Sequence, residues 1–170
     1  FRIVMKKYKK AILPAGFKAS GIYCGIKKSG KLDLCLFFSK TPAKCAAMFT
    51  TNTMPAAPVI LDKHYLKNNS RFHAIIVNSG NANCFTGKAG LSDAGFTSLG
   101  LAKVLGFKKE SVLVASTGII GKRLPVLKIK NAIPALVSRL SLQGINEAKK
   151  AIMTTDTSAK EFSVKFKIGS

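Results

Sequence analysis

The chain has 170 residues, 47% of them hydrophobic, with 28 Lys and Arg against 7 Asp and Glu for a formal net charge of +21. Disordered basic tails are poor in apolar residues, so this composition excludes one and supplies enough apolar surface for a packed core. Only four of the cations are Arg and the lysines are scattered, which fits a solvated surface better than the clustered, Arg-rich footprint of a nucleic-acid binder.

Residues 1–12 form a basic N-terminal segment around Lys6, Lys7, Lys9 and Lys10, and 13–170 are expected to make one domain. Gly21 to Phe38 carries two apolar stretches around the turn signal Lys28-Ser29-Gly30-Lys31, predicting a β-hairpin. Ala46 to Thr50 is expected to be a short strand. Ala57 to Asn68 has helical spacing, with Val59, Ile60, Tyr65 and Leu66 facing inward and Asn68-Asn69-Ser70 as the stop. Phe72 to Val77 predicts a buried strand, followed by Asn78-Ser79-Gly80-Asn81-Ala82-Asn83, a loop too polar for the core. Asp93 opens or lies early in a helix that ends before Gly106, and Ser111 to Ala115 is a second strand breaking into Ser116-Thr117-Gly118. Pro125 suits the first turn of a helix to about Leu140, which Pro134 is expected to kink or divide. Gly144 to Met153 predicts a short helix, Thr154 to Ala159 a loop, and Phe162 to Ile168 an alternating strand. Interleaved strands and helices without internal repeats give a mixed α/β class.

The common catalytic signatures fail. Gly121-Lys122 is no phosphate loop, because Ser116 and Arg123 stand where a Gly and a Ser or Thr are needed. There is no GxSxG and no HExxH. A catalytic triad would have to recruit His64 or His73, which are expected on the surface and in the core respectively. The carboxylates have no mutual spacing that suggests a pair, so the chain lacks a general base of its own. Cys24, Cys35, Cys45 and Cys84 form no CxxC, and with two histidines to help them no metal site is expected. They are expected to be buried, small and hydrophobic, in a reducing compartment. No apolar run nears the roughly 18 residues of a membrane-spanning helix. A soluble cytoplasmic protein is expected, with no membrane partner and no nucleic-acid partner.

Three polar loops stand out: Asn78 to Gly87, Ala115 to Gly121 and Met153 to Lys160. Each follows an apolar element directly. Small hydroxyl, amide and glycine residues at strand ends allow backbone N–H groups to approach a ligand, as an oxyanion site requires. The same residue types also make ordinary tight turns. Three such loops in one chain favour a site. The cations avoid these loops almost entirely, with Lys88, Lys122 and Lys160 only at their margins.

These residues carry a resemblance. Pro14 to Ile22, Phe49-Thr50-Thr51-Asn52 with Ala56 to Val59, Val77 to Gly87, Val114 to Gly121 and Ala151 to Thr157 follow the block order of the ornithine acetyltransferase family, the glutamate N-acetyltransferases of arginine biosynthesis. The match extends from Leu13 onward. It implies a layered αββα-type sandwich, completed by a separate β chain. Members of that family cleave their own precursor at an Ala-Thr bond into α and β chains, commonly assembled as a heterotetramer of two each.

The freed N-terminal Thr is the family's nucleophile. It takes acetyl from N-acetylornithine and passes it to glutamate, with its own α-amine available as general base. The sequence given stops at Gly169-Ser170, before the family's Lys-Gly-(small)-Gly-Met stretch and the junction. The resemblance therefore implies that this is the α share of the site. It assigns Thr117 and Gly118 to the oxyanion hole and Thr154 to substrate binding; Asn78, Asn81 and Asn83 are expected to shape the floor of the site. No metal and no cofactor are implied, although acetyl-CoA is an alternative acetyl donor for some relatives. On this view a less basic β chain offsets part of the +21 charge. Two rivals are a self-cleaving aminopeptidase or amidase, and a basic nucleic-acid-binding module.

Overall fold

A computed structural model describes residues 5–167. In chain order its elements are β1 (Met5–Tyr8), β2 (Phe17–Ile22), β3 (Leu34–Lys44), α1 (Ala57–Asn68), β4 (Arg71–Asn81), α2 (Gly87–Leu105), β5 (Val112–Ile119), α3 (Val126–Ser138), α4 (Ile145–Ile152) and β6 (Ser163–Phe166). Strands β2, β3, β4 and β5 form one sheet in that order. The first two pairings are antiparallel, and β4 and β5 are parallel, with α2 as the crossover between them. β1 and β6 pair separately as an antiparallel ribbon. The class is mixed α/β.

Alternation along the strands sorts the two faces of the sheet. Ile22, Leu34, Leu36, Ala74, Ile76, Val112 and Val114 lie on one, covered by α2 and α3 through Leu101, Ile129, Ile133 and Leu136. Those four are at most 2% exposed, and burying each stabilises the fold by about 1.5–3 kcal/mol. The opposite face carries Phe37, Ile75, Val77 and Leu113, but small residues at the closest approach of α4. Ala19, Cys35, Ala148 and Ala151 pack together there, and a Cβ on Gly21 would lie 2.5 Å from the Glu147 carbonyl. Helix α4 therefore rests almost backbone to backbone on the sheet. Helix α1 packs on β5, where Asp62 Oδ1 accepts the Val114 N–H at 3.1 Å.

Several expectations need correction. Ala46 to Thr50 is not a strand. β3 runs on to Lys44, where it pairs with Arg71 at the very start of β4, so the residues beyond have no neighbouring strand to bond. Helix α1 has the expected bounds, but its buried face is set by Ala57, Leu61 and Tyr65 at four-residue spacing, leaving Ile60 43% exposed. Pro134 sits inside α3 without dividing it, because Ile133 and Leu136 on either side are anchored in the core. β4 and β5 both extend into the polar segments expected to be loops. The last strand spans Ser163–Phe166; Ile168 lies outside the described residues. Among the described residues no helix is long and apolar enough to cross a membrane.

Candidate active site

Two parallel strands deliver their carboxyl ends to the same edge of a sheet, and ligand sites form there. β4 and β5 do this with Asn78 beside Ser116, Ser79 beside Thr117 and Gly80 beside Gly118. The β2–β3 loop arrives at the same end, since Leu34 pairs with Asn78. The end of α4 joins them, because Ser79 Oγ on the α4 face donates to the Ala151 carbonyl. Between these parts lies an open cavity of about 1200 Å³.

Thr117, Gly118, Asn81 and Thr154 all line this cavity, so residues far apart in sequence share one surface. Strand alternation separates Thr117 from its neighbour: Ser116 turns to the other face and donates to Asn78 Oδ1 at 2.6 Å. Gly118 has φ +133°, a conformation that side chains rarely adopt, and Gly80 beside it has φ +94°. Thr154, Thr155 and Asp156 are exposed on the far wall, directly after α4.

The Asn-rich segment is buried, contrary to expectation. Asn78, Ser79, Asn81 and Asn83 are each no more than 4% exposed. Burial is tolerated because the side chains are paired. Asn78 Nδ2 donates to the Asn81 carbonyl at 2.8 Å, and Asn81 Nδ2 donates to the carbonyls of Lys122 and Arg123 at 3.0 and 3.2 Å. Asn83 Nδ2 donates to the Gly90 carbonyl at 2.8 Å, and its Oδ1 accepts from Thr86 at 2.9 Å. Asn81 reaches the cavity; Asn78 and Asn83 brace the strand ends from behind.

The cavity is rich in cations, which the sequence order conceals. Lys27, Lys28, Lys31, Lys122, Lys128 and Lys150 all border it. Lysine runs that look dispersed along the chain converge because the β2–β3 loop, the start of α3 and the end of α4 meet at one end of the sheet. Lys27 is half-buried, and burial lowers its pKa below the ordinary lysine value although nearby Asp33 opposes this. Its Nζ donates to the carbonyls of Leu32 at 2.8 Å, Met153 at 2.6 Å and Ala151 at 3.4 Å.

Sequence reasoning also passed over Asp33. It is fully buried, and its carboxylate accepts the N–H groups of Cys24, Ile26 and Lys27 at 2.6, 2.7 and 2.9 Å. An acid set between Leu32 and Leu34 in a strand pattern was the available signal. His64 is exposed as expected, whereas His73 is half-buried instead of in the core and stacks on Phe107 with ring centroids 3.8 Å apart. The four cysteines are free thiols. Cys35 is buried, and burial pushes its thiol up to about 12, while the other three are half-buried. Among the described residues no cluster of three or more His, Cys, Asp or Glu is placed to hold a metal ion.

The chain is similar to proteins of one known family. A model described as the ArgJ family matches residues 18–170. The arginine biosynthesis bifunctional protein ArgJ of Gloeobacter violaceus is 48% identical over 154 residues, which is 91% of this chain and 38% of that protein. Its counterpart in Caldanaerobacter subterraneus is 47% identical over 94% of this chain and 39% of its own length. The chain thus spans about two fifths of the length of these curated relatives. Among solved structures, the Bacillus halodurans arginine biosynthesis bifunctional protein superposes with a TM-score of 0.86 at 31% identity, covering 96% of this chain and 92% of that one. Ornithine acetyltransferase of Mycobacterium tuberculosis, complexed with ornithine, also gives 0.86, at 35% identity over 98% of this chain and 96% of its own. The chain belongs to the ArgJ family.

Proposed function

We propose that this chain is the α portion of a self-processing acetyltransferase that moves acetyl from N-acetylornithine to glutamate in the cytoplasm. The observation that carries the reading is the convergence of Thr117, Gly118 and Thr154 on one lysine-bordered cavity. Two oxyanion donors, a substrate-binding hydroxyl and cations for carboxylates are the parts that acyl transfer between amino acids needs.

In this reading the nucleophile is the Thr at the start of the β chain, and it attacks the acetyl carbonyl of N-acetylornithine. The carbonyl oxygen becomes negative and receives hydrogen bonds from the Thr117 hydroxyl and the Gly118 N–H. Collapse breaks the amide bond, ornithine leaves with the proton taken from the Thr hydroxyl, and an acetyl ester remains. The amine of glutamate then attacks the ester and restores the hydroxyl. Thr154 with Lys28, Lys31 and Lys150 at the cavity border holds the substrate carboxylates. Ornithine in the Mycobacterium tuberculosis relative supports an amino acid as the ligand of this cavity. The scheme requires no metal or cofactor, and assembly is proposed as two α and two β chains.

The test uses the full-length protein with N-acetylornithine, with and without glutamate. Glutamate-dependent release of ornithine is expected. Release that ignores glutamate would instead make the protein a hydrolase. Thr117→Ala is expected to reduce turnover by about 10²–10³-fold, the usual loss for one oxyanion donor, and Thr117→Ser to restore much of it. Wild-type turnover in Thr117→Ala would refute the oxyanion assignment. Acetyl-CoA offered in place of N-acetylornithine decides whether it also serves as donor.

A further inference from the structure

The position of Thr154 relative to Thr117 has to be set by something, because Thr154, Thr155 and Asp156 are exposed and inherit their place from Met153. We propose that Lys27 is the positioning residue of this site: its side chain ties the end of α4 to the Gly80–Gly118 floor and so fixes the distance between the two walls. This rests on the reading above for its catalytic consequence, and on geometry alone for the tie itself.

Three observations place Lys27 in that role. The first concerns its head. An ammonium group has three N–H donors, and three carbonyls receive them: Leu32 in its own loop, and Ala151 and Met153 where α4 ends. The last carbonyls of a helix lack intrahelical donors and carry the negative end of its dipole, so a cation there is doubly suited. The second concerns its stem. A Cβ on Gly80 would lie 3.1 Å from Lys27 Cγ, so the stem passes directly over the glycine that pairs with Gly118.

The third concerns its root. The Lys27 backbone N–H is held by buried Asp33, whose carbonyl accepts the Ser79 N–H at 2.9 Å. The loop is therefore fastened to β4 before Lys27 reaches across. Root, stem and head are each fixed, and they connect the strand end carrying Gly80 to the residue before Thr154. Acceptors gathered around one point suit a compact ammonium better than a planar guanidinium.

The experiment compares the full-length wild type with Lys27→Met, Lys27→Arg, Thr154→Val and the Lys27→Met/Thr154→Val double variant. Amide hydrogen exchange is followed on a peptide spanning residues 150–157. Loss of charge-assisted bonds predicts about tenfold or more faster exchange there in Lys27→Met, with α2 and α3 unchanged and Lys27→Arg between the two. Exchange equal to wild type would overturn the tie. In steady-state transfer from N-acetylornithine to glutamate, misplacing Thr154 is expected to lower kcat/KM by up to about 100-fold.

Adding Thr154→Val to Lys27→Met should then cost little more, because both remove the same contact. Losses that simply multiply would show that Lys27 does not act through Thr154. A wild type without any transfer would sink the functional reading, while the exchange data would still decide whether the tie exists. Where Lys27→Met does not accumulate as folded protein, Lys27→Gln carries the same comparison.

Discussion

Gly118 meets Gly80 across the end of the β4–β5 ladder with no space for a side chain, since a Cβ on Gly118 would lie 2.5 Å from the Gly80 carbonyl carbon. Its φ of +133° adds a second obstacle. Gly118→Ala is therefore expected to destabilise the protein by about 1–3 kcal/mol from backbone strain alone, and to displace the N–H proposed for the oxyanion. Thermal unfolding of the purified variant, measured beside its transfer rate, checks both. A variant with the wild-type midpoint would show that the strand ends can part freely.

Asp33 binds three backbone N–H groups with no exposure to water. Asp33→Ala strands all three, and each buried, unmade bond costs about 1–3 kcal/mol. The expected outcome is a loss of several kcal/mol, seen as a lower urea midpoint or as failure to accumulate. Asp33→Asn keeps one acceptor oxygen and should fall between the two.

Asp62 gives the pH dependence a definite sign. Burial pushes its carboxyl up to about 7, and the single bond from Val114 only partly offsets this. Unfolded, the group titrates in the ordinary carboxylate range, so between that range and pH 7 the folded state binds more protons. Stability from this group is thus present at low pH and falls as pH rises toward 7. Replacing it by Asn should remove the slope, raising stability at pH 8 relative to pH 4.5 by roughly 1–2 kcal/mol once screening of a half-buried group is allowed for. Thermal midpoints of both proteins at the two pH values decide it.

The lysine border should reveal itself through salt. At 0.1 M ionic strength charges are screened beyond about 10 Å, so capture of anionic substrates by Lys28, Lys31 and Lys150 is expected to weaken. KM for glutamate should rise with added NaCl while kcat stays near its low-salt value. A KM indifferent to salt would mean that these cations face solvent without touching substrate.

Most elements were legible because hydrophobic period and punctuation agreed. Helix α1 came out with its exact termini from Ala57 to Asn68, and the end of α2 from Gly106. The site was half legible. Thr117, Gly118 and Thr154 follow apolar elements in the family's motifs, which is why the sequence singles them out as candidates, and all three line the cavity. The extension of β4 is not legible in the same way, since Asn and Ser ordinarily end a strand. In the structure the two-residue period of burial at Phe72, Ala74 and Ile76 continues through Asn78, where a polar residue conceals it in the sequence. The lysines were hidden for a different reason. Lys27, Lys122 and Lys150 come to one cavity because the β2–β3 loop, the segment after β5 and the end of α4 meet at one end of the sheet, and no local pattern encodes that.

At its closest approach helix α4 touches the sheet through Ala19, Gly21 and Cys35, with Leu32, Phe37 and Val77 partly buried beside them. A contact of that kind has no rotamers to rearrange. Its spacing is set by atomic radii, so it acts as a hard stop where a leucine layer would act as a cushion. Repacking under α2 or α3 can shift those helices by fractions of an ångström without altering the gap that Thr154 overlooks. The seat of α4, from which Met153 meets the Lys27 ammonium, is therefore insulated from drift in the main core, and is vulnerable instead to a single methyl group added at position 21.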